Sequence, residues 1–277
     1  MKISYVIPVF NGSASIAKCL EHILYQQGDF EREIIVVNDG STDDTFDIVQ
    51  NYVYDAFNND GALLGKVFLY DRGHLGASAA RNFGVSKAMG DYIAMVDADT
   101  FLDITWTQQC LSEPADYDIL LTNDLKYHEE DPVCRQLMEK IQKNPYITHQ
   151  NLIGFIGNGT FLPAKNKWMI NYDEMYIVGG EDIDILLRLI DSGARLKASY
   201  GPSFLHKHMH SSQAKRYLSF IKKKVLFGYG SWRTFFKHRT SVYAIRDAMN
   251  NFWVLPLYPF IAAFVKLRLF AYFLVSD

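Results

Sequence analysis

Two acidic pairs and a histidine cluster carry the chemistry this sequence could do. The stretch Met95-Val96-Asp97-Ala98-Asp99-Thr100 ends an apolar run, Tyr92–Val96, in two aspartates one residue apart. In an extended segment, side chains i and i+2 point to the same side, so Asp97 and Asp99 face one spot. Two carboxylates there repel unless they are well solvated or a cation lies between them. A divalent-cation site and a solvated strand-to-loop cap both fit the pair. Glu181-Asp182 stands behind Gly179-Gly180. A neighbouring carboxylate raises the pKa of whichever of the two acts as a general base. The same acids also suit a helix N-terminus, where each contributes roughly 0.3–1 kcal/mol. His206, His208 and His210 follow at alternate positions, as metal ligands or as ordinary surface or core imidazoles.

The elements that must position these residues alternate between strand and helix. Ile3–Val9 reads as a strand. Ser13–Gln27 reads as a helix, with Ile16, Leu20, Ile23 and Leu24 at helical spacing and Ser13 or Ser15 as cap. Glu33–Val37 is a strand that ends in the turn chemistry of Asn38-Asp39-Gly40-Ser41. A helix over Thr42–Tyr54 would carry Asp43 and Asp44 in its first turn. Val67–Tyr70 and Tyr92–Val96 read as strands around a helix at Ala77–Ala88. This alternation predicts a mostly parallel, doubly wound α/β sheet, whose ligands bind at the carboxyl ends of the strands. Further on come a strand at Ile119–Thr122, a helix at Asp131–Lys143, the glycine-rich Phe155–Thr160 and a strand at Arg195–Tyr200. Between the last two lies a helix at Glu181–Ser192, with Ile183, Leu186, Leu187 and Ile190 on one face and Gly193 as terminator. Trp168 and Tyr176 are candidates for stacking on a ligand face, or core aromatics.

The bulk composition bounds the architecture. The 277 residues, 49% hydrophobic and 14% aromatic, suffice for one large domain, or one with an appendage. Cys19, Cys110 and Cys134 form no metal-type spacing and predict free thiols in a reducing compartment. The first residues, cut by Pro8, read as a strand rather than a leader. Net charge is -3, but residues 211–277 hold 11 of the 28 Lys and Arg and only two of the 31 acids, Asp247 and Asp277. That leaves +9 in the tail against -12 in residues 1–210. A basic, aromatic tail behind an acidic body is a surface suited to anions.

Taken in order along the chain, several motifs resemble one family. They are Tyr5-Val-Ile-Pro-Val-Phe-Asn11, Val36-Val-Asn-Asp-Gly-Ser-Thr-Asp43, Gly76-Ala-Ser-Ala-Ala-Arg-Asn82, Gly90-Asp-Tyr-Ile-Ala-Met-Val-Asp-Ala-Asp99, Gly179-Gly-Glu-Asp182 and the histidine cluster. They resemble the family 2 glycosyltransferases, inverting enzymes of the GT-A fold that use nucleotide-sugar donors. The Gly179–Arg188 segment is also similar to the acceptor-side motif of the polypeptide N-acetylgalactosaminyltransferases and β-1,4-galactosyltransferases, relatives of the same fold. The resemblance implies a Rossmann-like GT-A domain over 1–210, with a nucleotide-sugar half at 1–100 and an acceptor half at 101–210. It implies that Asp39 bonds the nucleotide base, that Pro8, Val9 and Asn11 form the loop beneath the nucleoside, and that Arg81 lies near the nucleotide. Asn38 departs from the usual Asp. Asp97 corresponds to the carboxylate near ribose and metal, Asp99 to the metal ligand and Asp182 to the catalytic base, with Glu181 as its alternative. His206 corresponds to a histidine that completes the metal site, with His208 as its rival. Mn²⁺ or Mg²⁺ is the implied metal, and a uridine or guanosine diphosphate sugar the implied co-substrate.

Residues 211–277 lie outside the motifs. Their cations are interleaved with aromatics, and Phe252–Val275 is apolar but interrupted by Pro256, Pro259, Lys266 and Arg268. A helical extension lying on a membrane surface is expected. A tail packed on the body, or against a second copy in a homo-oligomer, is the alternative. The expected whole is a cytoplasmic enzyme, peripheral on the cytosolic membrane face, that takes a glycan or lipid-linked acceptor and no nucleic acid. Two rivals stand beside it. A nucleotidyltransferase would call for a glycine-rich basic loop after the first strand, which Pro8-Val9-Phe10-Asn11-Gly12 is not. A non-catalytic nucleotide-sugar-binding or scaffold protein would have lost chemistry that Asp99 and Asp182 retain.

Overall fold

The computed structural model describes residues 1–58, 66–148, 158–176, 179–206, 228–263 and 266. Eight strands form one sheet in the order β3-β2-β1-β4-β7-β6-β8-β5. They are β1 (Lys2–Val9), β2 (Glu31–Asn38), β3 (Lys66–Asp71), β4 (Tyr92–Met95), β5 (Thr100–Leu102), β6 (Ile119–Asn123), β7 (Thr160–Pro163) and β8 (Leu196–His206). Side-chain alternation decides which face each residue serves. Ile3, Tyr5, Ile7 and Val9 of β1 pack into one layer with Ile34 and Val36 of β2. Val6, Ile35, Val37, Ile93 and Met95 pack into the other. The central strands are apolar on both faces because helices cover both.

Helices α1 (Ile16–Leu24), α2 (Thr45–Asn58), α3 (Ala77–Lys87), α4 (Trp106–Ser112), α5 (Pro132–Lys143) and α6 (Glu181–Asp191) flank the sheet. Helix α7 spans 228–237, and α8 is Val242–Asn250. Ile16, Leu20 and Ile23 bring α1 to the first layer. Ala80 and Val85 of α3, with Ile185, Leu186 and Leu189 of α6, belong to the second.

The sheet is mostly parallel, as expected: β1, β2, β3 and β4 are mutually parallel where they pair, and so are β6 and β8, while β7 runs antiparallel to β4 and β6, and β5 to β8. Several element bounds and faces are corrected. Helix α1 starts three residues later than Ser13 because the Ser13 amide is held by the Asp43 carboxylate. Ser15 is its N-cap, without a side-chain capping bond. Helix α2 starts at Thr45, whose amide Asp43 caps at 3.1 Å, so Asp43 and Asp44 precede the first turn and Asp47 lies in it. Helix α6 is buried on two sides, so Asp184, Ile185 and Leu189 are interior while Ile183 and Ile190 are only half-buried. Strand β8 runs six residues past Tyr200.

Candidate active site

Three neighbouring parallel strands deliver their carboxyl ends to one cleft. β1 leads into Asn11, β2 into Asp39, and β4 into Asp97-Ala98-Asp99. The chain moves outward from β1 through β2 to β3, then returns to place β4 on the other side of β1. That reversal opens a crevice at the strand ends. A cleft of about 440 Å³ lies there, and among its lining residues are Pro8, Val9, Asn11, Asp39, Arg81, Asp97, Asp99 and His206.

Local bonding explains why each side chain stands where it does. Asn11, at φ 53, accepts from the Thr42 amide at 2.7 Å, and its own amide donates to Ser41 Oγ. The first cleft loop is thereby tied to the second. Asp39 is buried and accepts from the backbone amides of Leu75 and Gly76, at 2.5 and 2.9 Å. It also lies 3.3 Å from His74, whose ring stacks on Phe10 at 4.1 Å. Asn38 uses its amide to donate to Asp71 Oδ1 at 2.6 Å and its carbonyl to accept from the Ser41 amide. A second carboxylate at that position would face Asp71 without a donor.

The Asp97–Asp99 turn has three braces. The Thr100 amide donates to Asp97 O at 3.0 Å. Asn158 Oδ1 accepts from the Asp97 amide and from Thr100 Oγ1, at 3.2 and 2.9 Å. The short strand β5 then pairs with β8 in a register that sets Thr100 opposite His206. That register brings His206 Nε2 to 3.2 Å from Asp99 Oδ1, across the length of the second half. The Asp99 hydrogen bond raises the His206 pKa against the opposing effect of burial. Asp97, Asp99 and His206 each offer a ligand atom, all within 4.8 Å of one another. Two carboxylate oxygens and an imidazole so placed fit a divalent cation that keeps further positions open. His208 and His210 lie outside the described residues.

Arg81 connects this end of the cleft to the second acidic pair. Its guanidinium reaches Asp97 Oδ1 at 3.1 Å and Glu181 Oε1 at 3.4 Å. Gly179 and Gly180 both adopt left-handed φ, 76° and 89°, which lets the chain enter α6 with Glu181 and Asp182 in its first turn. Burial raises the Asp182 pKa well above the usual carboxylate range, and the Glu181 charge adds to it, while Arg81 opposes. Asp182 Oδ1, Glu181 Oε2, Arg81 Nε and the Tyr172 hydroxyl are all buried without a hydrogen-bond partner. Three such oxygens around a guanidinium whose own Nε is unpartnered form a polar site prepared for a further group.

Tyr172 and Asn158 carry no sequence motif and escape a reading by pattern. Tyr172 is placed by Asn82, which exchanges two hydrogen bonds with its backbone at 2.9 and 2.8 Å. The Ala-Arg-Asn signature thus aims its arginine at the carboxylates and its asparagine at Tyr172. The aromatic candidates fall elsewhere. Tyr176 is 1% exposed, bonded to Thr234 and therefore core, and Trp168 is solvent-exposed outside the cleft lining.

Residues 4–118 match the family model described as glycosyl transferase family 2. The chain is 34% identical over 131 residues to the glycosyltransferase GlyG of Streptococcus pneumoniae serotype 4, covering 47% of this chain and 41% of that protein. It is 29% identical over 132 residues to GlyA of the same organism, covering 47% of this chain and 18% of that protein. The match therefore spans less than half the length of these relatives. Among solved structures, a mannosyltransferase from Pyrobaculum calidifontis in complex with GDP-Man and Mn²⁺ aligns with TM-score 0.60 at 15% identity, covering 99% of this chain and 76% of that one. S. aureus TarS in complex with UDP-GlcNAc aligns with TM-score 0.57 at 19% identity, covering 83% and 66%. The curled, mixed sheet is the GT-A fold that these structures share.

Proposed function

Residues 4–118 match the family model of glycosyl transferase family 2, and from that premise we propose that this protein is an inverting, metal-dependent glycosyltransferase of that family. It moves a sugar from a nucleoside-diphosphate sugar, first among them a UDP-sugar, to a hydroxyl of a glycan or lipid-linked acceptor. The observation that carries this reading is that Arg81, which lines the cleft beside the Asp97–Asp99–His206 cluster, pairs with both Asp97 and Glu181 and so ties that cluster to the Glu181–Asp182 pair. Neighbours of the same fold hold UDP-GlcNAc, or GDP-Man with Mn²⁺, and lend support to that donor class.

Asp99 and His206, with Asp97 beside them, would hold Mn²⁺ or Mg²⁺, which would supply positive charge to offset the negative charge of the departing diphosphate. Pro8, Val9, Asn11 and Asp39 receive the nucleoside. Arg81 fixes Asp97 and Glu181 in one geometry. Asp182 takes the acceptor hydroxyl proton. The freed oxygen bonds the anomeric carbon on the face opposite the leaving group, and the bond to the diphosphate breaks with its electron pair. A carboxylate with a raised pKa is the stronger base for that proton, which is what burial and Glu181 give Asp182.

The enzyme works on the cytosolic face of a membrane, held peripherally by 211–277. Among the described residues, no helix is long and apolar enough to cross a membrane. Phe260 is 74% exposed, and Met249, Leu255 and Leu257 are exposed near it in sequence. Apolar side chains so presented beside a basic tail suit an anionic lipid surface.

The test is nucleoside diphosphate release from a panel of uridine and guanosine diphosphate sugars with Mn²⁺ and a hydroxyl acceptor. One donor is expected to turn over, with loss on chelation. Absence of turnover with every donor and both metals would support a binding protein instead.

A further inference from the structure

The C-terminal extension does more than cover the body. Helix α7 lies directly beneath the Gly179-Gly180 turn that leads into Glu181 and Asp182. A Cβ on Gly230 would stand 2.0 Å from Gly179 O, and a Cβ on Gly180 would stand 3.0 Å from the Gly230 carbonyl carbon. Only two glycine backbones allow this approach. Thr234 Oγ1 donates to Gly230 O at 3.0 Å, lies 3.4 Å from Gly180 O, and meets the Tyr176 hydroxyl at 2.9 Å.

Ion pairs grip the chain on both sides of the turn. Arg233 places Nε and Nη2 on Asp173 Oδ2, at 3.1 and 2.6 Å, and Lys237 reaches the same oxygen at 3.1 Å. Lys237 also pairs with Asp184, which accepts from His238 Nε2 at 3.1 Å and from Arg188 Nε at 2.9 Å. Asp173 precedes the acidic pair and Asp184 follows it. Asp184 itself is fully buried. On its other side α7 is backed by the rest of the extension: Trp232 packs with Ala248 and Val254, and its indole N–H donates to Asn251 O at 2.9 Å.

A turn made of two left-handed glycines has the widest backbone freedom of any dipeptide. The groups that fix its geometry here come from α7. We propose that α7 is the positioning element for the acidic pair, with Gly230, Arg233, Thr234 and Lys237 as its positioning residues. The extension is then an integral part of the reaction site. This inference rests on reading Asp182 as the base. Its energetic logic is that a misplacement of about 1 Å in a reacting group costs on the order of a hundredfold in rate.

The test uses the full chain, with Gly230→Ala and the pair Arg233→Met/Lys237→Met. Three quantities are read: kcat, the Kd for a nucleotide with Mn²⁺, and amide hydrogen exchange in segments 179–186 and 92–97. The expected result is a kcat lower by about tenfold or more, with nucleotide Kd changed by less than about twofold. Exchange accelerates at 179–186 and stays unchanged at 92–97, and Arg233→Lys recovers part of the rate. Equal losses in kcat and nucleotide binding would mean general damage and overturn the proposal, as would unchanged kcat and exchange. A wild-type protein without turnover would count against the glycosyltransferase reading. In that case exchange alone decides: faster exchange at 179–186 in the variants keeps α7 as the brace of the turn, and unchanged exchange removes it.

Discussion

The Arg81 guanidinium lies 3.4 Å from Glu181 Oε1, joining helix α3 of the first half to the first turn of α6 in the second. The same group reaches Asp97 at 3.1 Å, and its side chain is 7% exposed. It is the cation common to three carboxylates. Removing one partner of a buried ion cluster leaves the others uncompensated, at about 3–5 kcal/mol. Arg81→Met is therefore expected to lower the urea unfolding free energy by that amount, and Arg81→Met/Glu181→Gln to regain part of it. A loss below about 1 kcal/mol would contradict the geometry.

Asp182→Asn is expected to reduce turnover by about 10²–10⁴-fold while nucleotide binding stays intact. The wild-type kcat should depend on an ionised base whose pKa lies above the ordinary carboxylate range, because burial and Glu181 raise it. Activity is present above that pKa and falls as pH drops through it. In Glu181→Gln the acid limb should move to lower pH. A limb that does not move would reassign the base.

Acid stability should carry the signature of Asp184. Burial opposes its ionisation, but hydrogen bonds from His238 and Lys237, with the charges of Lys237 and Arg188, bring its pKa down to about 2 from 3.8. A depressed folded pKa stabilises above the unfolded value and is lost as pH falls through the folded one. About 2 kcal/mol should therefore disappear between pH 4 and pH 2. Urea titrations across that window are expected to show this component in the wild type and not in Asp184→Asn. Equal slopes in both would contradict the assignment.

Membrane association should rest on the exposed apolar residues after α8. Leu257→Ser/Phe260→Ser changes side chains that are 45% and 74% exposed. It is expected to release the protein from anionic phospholipid vesicles in cosedimentation without lowering its melting temperature. Deleting 241–277 should do the same for binding. Undiminished pelleting of both variants would assign lipid contact elsewhere or abolish it.

Much of this site is legible in the sequence because strand ends follow local rules. Asn11, Asp39, Asp97 and Asp99 each follow an apolar run, and parallel strands bring such ends together without further information. Gly179-Gly180 and the acids behind them likewise mark the start of α6. The β5–β8 pairing is not legible, since Thr100–Leu102 is only three residues long and its partner lies about a hundred residues away. Without it nothing in the local pattern brings His206 to Asp99. The fully buried Asp184 is illegible for a related reason. Helical spacing shows an apolar face, but only the arrival of Lys237 at the end of α7 and of His238 just after it lets a carboxylate be buried beside it. Arg233 and Lys237 look like surface cations in the sequence and are engaged internally in the fold.

The most direct measurement is thermal stabilisation by nucleoside diphosphates and nucleotide sugars, each with Mn²⁺ and with chelator, in the wild type and in Asp99→Ala. A ligand bound only by the native state at a hundred times its Kd adds about 2.7 kcal/mol. The expected result is a metal-dependent rise with one base, uridine first, that disappears on chelation and in Asp99→Ala. No rise with any nucleotide, or one indifferent to chelator and to Asp99, would contradict a metal-assisted nucleotide-sugar site in this cleft.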